Sequence, residues 1–178
     1  MFSHCILKNR ILIHVDSNEH EYHDVLHPFP SHDPNVFLDW QGFNLQNHSL
    51  HFTEFWVQEF SEKGGGHHDT HVHWNQHVSG FYFLKCSEKT SYPVFHDPRQ
   101  GAEMTRLPLK DGSKITMGQG LINYHPKPGT MMIFPGYLPH QFTVDPALEP
   151  FRFVHFNIKA VETSISKERS MKNELQKK

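Results

Sequence analysis

Apolar residues in this chain fall in short runs or alternate with polar ones, and turn residues separate the runs. Residues 10–15 read as a strand, and residues 16–32 are polar and contain proline. Val36 to Trp40 reads as a short strand or the edge of a helix; no segment joins a helix cap to helical periodicity. From Leu50 to Phe60 the pattern sharpens. Leu50, Phe52, Trp56 and Phe60 share one parity and Phe55 and Val57 the other, which predicts a strand apolar on parts of both faces. The Ser61-Glu62-Lys63-Gly64-Gly65-Gly66 run breaks it. Residues 67–74, 78–84, 92–95, 130–134, 141–144 and 151–158 then read as further strands. Residues 100–128 are polar, with short strand-like pieces around a predicted hairpin turn at Asp111-Gly112; the stretch is read as an insertion covering a site. Roughly eight short strands with turn chemistry between them, and no strand–helix alternation, predict an all-β sandwich, jelly roll or barrel with few peripheral helices or loops. One domain is expected over residues 1–163, with its core at about 50–160, followed by a charged tail at 164–178.

Composition changes this picture little. Fifteen Phe, 5 Tyr and 3 Trp, with 12 Pro and 11 Gly, favour strands and turns. The net charge is −2 and no basic stripe forms, so nucleic-acid binding gains no electrostatic support. No apolar run approaches the roughly 18 residues of a membrane span. The start lacks an apolar signal region, so a cytoplasmic location is expected. Cys5 and Cys86 make no disulfide framework, and Cys86 reads as a buried, reduced thiol.

Histidine stands out at 17 of 178 residues. Most, such as His4, His14, His20, His48 and His51, share no spacing and read as surface or packing residues. His71 and His73 differ. Two apart on an extended backbone, they leave one face of a strand and form half of a transition-metal site. A third ligand is expected from the far end of the chain, where His140 follows the Gly129 to Pro135 run. Imidazoles alone do not choose among iron, copper, zinc and nickel. Arg152 shares parity with Val154, Phe156 and Ile158, so it is expected on the apolar side, in need of an anion. A carboxylate ligand held bidentately, or an ion pair with Asp145, Glu149 or Asp97, would meet that need.

Taken in order, His71-x-His73, Ser79-Gly80-Phe81-Tyr82-Phe83-Leu84, Asp97-Pro98-Arg99, Gly129 through Phe134-Pro135, Leu138-Pro139-His140 and Arg152 through Phe156-Asn157 resemble a group of 2-oxoglutarate- and Fe(II)-dependent oxygenases common in bacteria and phages. The resemblance covers about residues 50–160. It implies a double-stranded β-helix with an iron site at one open end, and a dioxygenase acting with Fe(II), 2-oxoglutarate, O2 and a prime substrate, with ascorbate as a further reductant. His71 and His140 would be the two histidine ligands. His73 stands where such enzymes carry Asp or Glu, so either three imidazoles hold the iron or a carboxylate such as Asp97 completes the set. Asp69, in a second His67-x-Asp69 run, is a weaker candidate. Arg152 would hold the distal carboxylate of 2-oxoglutarate, assisted by Tyr82, with Arg99 as the fallback. Phe81, Phe83, Phe134, Phe153 and Phe156 would wall the site. Two rivals remain: a cupin-like metalloprotein with His77 among its ligands, and a non-catalytic jelly-roll domain.

Overall fold

The computed structural model describes residues 14–16, 33–99, 101, 104–116 and 118–163. The expected strand at 10–15 is therefore described only from His14, while Cys5 and the charged tail at 164–178 lie outside the described residues. Nine strands and the helix α1 have bounds among the described residues: β1 (His14–Asp16), α1 (Pro34–Trp40), β2 (His48–Glu59), β3 (His68–His71), β4 (Val78–Lys85), β5 (Pro93–His96), β6 (Leu121–Asn123), β7 (Met131–Pro135), β8 (His140–Phe142) and β9 (Arg152–Glu162). They form two antiparallel sheets, ordered β1-β7-β4-β9-β2 and β3-β8-β5-β6. Strands far apart in sequence lie side by side in both, which is the jelly-roll arrangement expected.

Alternation along the central strands sorts side chains into two cores. Phe81 and Phe83 of β4, Met132 and Phe134 of β7 and Phe153 of β9 join Phe60, Phe95, Phe142 and Phe151 between the sheets. The opposite parity, Val78, Ile133, Phe156 and Ile158, is buried on the outer face of the five-stranded sheet under Phe37 and Leu38 of α1. Phe156, expected in the wall of the site, belongs instead to this outer core. Parity alone does not say which of two buried faces looks inward.

The helix settles the ambiguity at Val36 to Trp40. Asp33 caps it by accepting from Asn35 N at 2.8 Å, and Pro34 opens its first turn. Asp111-Gly112 is a turn, with Ser113 N donating to Asp111 Oδ1 at 3.0 Å, but the segments beside it are not strands; β6 is the one strand described in residues 100–128. Too few apolar residues alternate there to hold a ladder.

Gly80 sits under the Phe156 ring. A Cβ there would lie 2.2 Å from Phe156 Cζ and 2.7 Å from the Met132 carbonyl oxygen. Gly80→Ala is expected to cost about 2–3 kcal/mol in denaturant unfolding, because the ring and the β7 backbone must both give way. Among the described residues, no helix is long and apolar enough to cross a membrane.

Candidate metal centre

His71, at the end of β3, is the register partner of His140, at the start of β8. Sheet pairing thus sets the two imidazoles side by side, with ring centroids 4.4 Å apart. β3 ends at His71, short of the strand expected to reach residue 74. His73 nevertheless reaches the same place, its backbone N–H bonded to Gly136 O at 2.8 Å and its ring 5.1 Å from both other rings. One ligand atom from each of the three can lie within 4.8 Å of the others. His140 is fully buried against the rings of Phe81, Phe95 and Phe134, while His71 and His73 are half-buried.

A β-bulge adds what the sequence concealed. In the β2–β9 register, Phe52 faces Ile158 and Glu54 faces Asn157, so Thr53 is the extra residue. Without the bulge Glu54 would share the outward parity of Leu50 and Phe52. With it, Glu54 and Trp56 take the side of the sheet that carries His155 and Asn157 while staying exposed, a re-aiming typical of bulges beside functional sites. Glu54 accepts from Asn157 Nδ2, and Trp56 lies 4.2 Å from the His155 ring. His155, from the inward row of β9, stacks on His73 at 4.7 Å. It is 2% exposed and its Nε2 has no hydrogen-bond partner. Glu54, His73 and His155 form a second group with ligand atoms within 4.8 Å. Sequence reading missed Glu54 and His155; the inward parity shared by His155 and Asn157 was the available signal for the second.

Hydrogen bonds orient two of the rings. His71 Nδ1–H donates to Asp69 O at 2.7 Å, and His140 Nδ1–H donates to Leu138 O at 2.8 Å. Each leaves Nε2 with its lone pair toward the cluster, as a metal ligand requires. Burial, reinforced by the neighbouring imidazoles, pushes His140 and His155 down to about 3 and His73 down to about 4. Unfolded imidazoles take up protons below about 6.5, but these folded rings resist until about 3–4. The unfolded state therefore binds more protons in that window, and stability falls as the pH is lowered through it. For metal-free protein, Tm is expected to drop by at least about 5 °C between about pH 7 and 4.5 in a thermal scan. A flat profile would show that the rings are not held neutral.

The other candidates lie elsewhere. Asp97 does not join the histidines: Arg99 holds its carboxylate through Nε at 2.8 Å and through Nη2, and that side chain is 2% exposed. Asp69 is 97% exposed beside His67. His77 accepts at Nδ1 from Ala160 N and stands outside both metal-binding groups. Tyr82 is 39% exposed, on the face of β4 opposite Phe81 and Phe83. Arg152 does not turn to the interior in need of an anion. It lies on the outer face, where its cross-strand partner Glu59 binds it through Nε at 3.0 Å and Nη2 at 2.7 Å. The apolar parity it shares with Phe156 and Ile158 is the parity buried under α1. The inward row is Phe151, Phe153, His155 and Asn157, and the buried polar residues described include no Arg or Lys.

At the end of β5, which pairs with β8 through Phe95 and His140, Asp97 and Arg99 line a cleft of about 420 Å³ with Arg106, Lys110 and Gln119. This end of the four-stranded sheet is the one that carries His71 and His140, so Arg99 alone of the expected anchors stands there.

Comparison with known sequences places residues 54–150, more than half of the chain, within the profile of a family described as "Putative 2OG-Fe(II) oxygenase". No curated protein matches the sequence. Among solved structures, the fold is similar to that of an oxidoreductase of the 2OG-Fe(II) oxygenase family from Burkholderia pseudomallei, at 10% identity and a TM-score of 0.48, covering 70% of this chain and 50% of that one. It is also similar to the non-heme alpha-ketoglutarate-dependent epimerase SnoN from nogalamycin biosynthesis, at 10% identity and a TM-score of 0.43, covering 62% and 47%. The chain spans about half the length of these structures.

Proposed function

Because the chain belongs to the 2OG-Fe(II) oxygenase family, we propose that it binds Fe(II) at the face formed by His71, His73 and His140 and uses it, with 2-oxoglutarate and O2, to oxidise a prime substrate. The observation that carries this reading is the direct cross-strand pairing of His71 with His140, each held by a backbone carbonyl with Nε2 turned to the cluster. Neutral imidazole nitrogens suit a borderline divalent ion such as Fe(II), and the depressed proton affinity of His140 keeps that ring available at neutral pH. When bound, the iron would supply O2 activation, with O2 as the oxidant and 2-oxoglutarate as the two-electron co-reductant that leaves as succinate and CO2, and ascorbate would keep the iron ferrous.

The chain's own residues bind, orient and exclude water. Phe81, Phe95 and Phe134 close the inner side around His140. For 2-oxoglutarate the described residues fit less well. Arg152, the expected anchor, is engaged by Glu59 on the outer face, and Tyr82 is outward as well. Arg99 is likewise paired, with Asp97, and we take it as the anchor only because it stands with Arg106 and Lys110 in the cleft at the end of the sheet that carries His71 and His140. Arg152→Ala is accordingly expected to leave metal binding and 2-oxoglutarate turnover within about twofold of wild type, and the unfolding transition nearly unchanged, as loss of an exposed ion pair does. Arg99→Ala is expected to raise the KM for 2-oxoglutarate by at least about tenfold, the effect of losing a charge-assisted carboxylate contact. Anaerobically loaded protein, assayed for succinate formation from 2-oxoglutarate with and without Fe(II), tests the function. Succinate that depends on Fe(II) supports it; none under either condition would sink it. We take the compartment to be the cytoplasm, which suits the reduced thiol of Cys86.

A further inference from the structure

Within that reading of the site, we infer that His73 is not a third metal ligand: Glu54 and Asn157 fix it in the tautomer that turns an N–H, rather than a lone pair, toward His71 and His140. The inference rests on the proposed metal face but is carried by hydrogen bonds that do not depend on a metal.

The relay starts at the bulge. Glu54 Oε2 accepts from Asn157 Nδ2, and the same Nδ2 lies 3.0 Å from His73 Nδ1. Asn157 Oδ1 accepts from Ser79 Oγ at 2.5 Å. Turning the amide over would set Oδ1 against the Glu54 carboxylate, two acceptors face to face. The carboxylate therefore fixes the amide, and both amide hydrogens are donated, one to Glu54 and one to His73. A ring nitrogen that accepts carries no proton. His73 must then hold its proton on Nε2, which lies 3.3 Å from His140 Nε2. His140 can accept there, because its own proton sits on Nδ1 and is donated to Leu138 O. His71 has the same Nδ1–H arrangement through Asp69 O.

Of the three rings, His71 and His140 carry an Nε2 lone pair and His73 a donor; in the metal-free protein that donor occupies the His140 lone pair, so a metal at His140 displaces the His73 hydrogen bond. For His73 to ligate, its proton would have to move to Nδ1, facing an amide that is itself a donor, and the amide would have to rotate against Glu54. The metal then has two protein imidazoles, and His73 presents an N–H at the position where a carboxylate ligand is expected. Such a donor is suited to hydrogen-bond an acidic oxygen of a bound co-substrate. Asn157 and Glu54 are positioning residues that act through His73.

Nitrogen-15 NMR of histidine-labelled protein tests this. In the metal-free protein, His73 is expected to show a protonated Nε2, while His71 and His140 show protonated Nδ1. A protonated Nδ1 on His73 would overturn the inference whether or not metal binds. On addition of Zn(II), the Nε2 signals of His71 and His140 are expected to shift on coordination, and His73 is expected to keep its Nε2–H. Coordination through His73 Nε2 would also overturn the inference. Failure of His71 and His140 to respond would instead count against the proposed metal site. The double variant Glu54→Gln, Asn157→Asp reverses the relay: the introduced amide donates to the introduced carboxylate, which accepts from His73 Nδ1–H and frees Nε2. It is expected to bind Zn(II) about tenfold more tightly, as a supporting carboxylate does for a ligating imidazole. Unchanged or weaker binding would contradict the assignment.

Discussion

His140→Ala is expected to reduce Fe(II)-dependent succinate formation by more than about a hundredfold, since disturbing even the groups that support a metal ligand costs roughly 10- to 100-fold. His140 is fully buried at the start of β8, between the Phe81, Phe95 and Phe134 rings and opposite His71. No other described side chain can take its place in the pair that β3 and β8 form. Because the alanine leaves a void among those rings, lost folding must be separated from lost chemistry. His71→Ala does so. His71 is half-buried at the end of β3, so its removal should leave the unfolding transition nearly unchanged while producing a loss of the same size. Steady-state succinate assays on both variants, with thermal scans beside them, check the prediction. Turnover within about tenfold of wild type in the folded His71→Ala protein would remove the metal face from the mechanism.

Phe153→Ala carries the largest expected stability effect, about 3–5 kcal/mol in denaturant unfolding. Phe153 is fully buried at the centre of the inner core, stacked on Phe142 at 4.6 Å and in ring contact with Phe60, Phe81, Phe83 and Phe151. Those partners come from both sheets and the loops beside them, so one deletion loosens the whole sandwich. The deleted ring also packs against His68, which borders His71. Metal affinity should therefore fall together with stability. A loss below about 1 kcal/mol would mean that the core can collapse around the gap.

The sheets and the histidine pair were legible in the sequence because they follow from period-two alternation and from turns at glycine and proline. His71 and His140 could be matched across the chain because a jelly roll brings an early and a late strand together at one end, and His140 follows the Gly129 to Pro135 run. Three features were not legible, for related reasons. The sheet is buried on both sides, so the apolar parity of Arg152, Phe156 and Ile158 looked like an inward face, although it is the face that α1 covers. The helix itself is only seven residues long, too short for its period to register, although Asp33-Pro34 marked its start. The Thr53 bulge reversed the parity of Glu54, and a single inserted residue leaves no trace in an alternating pattern. Each miss concerns which side of a strand a residue faces or what covers that side, and each changes what surrounds the site.

Those reversals also change the chemistry around the histidines. The guanidinium expected inside is outside, and a carboxylate and a fourth imidazole, Glu54 and His155, stand where none was expected. The polar relay from Glu54 through Asn157 to His73 follows directly from the bulge.

Anaerobic equilibrium dialysis against Fe(II) asks whether His71 and His140 create the iron site. The wild type is expected to bind about one equivalent and the His71→Ala, His140→Ala double variant less than about a tenth, since a protein metal site needs its ligand set intact. Stoichiometric iron in the double variant, or none in the wild type, would contradict it.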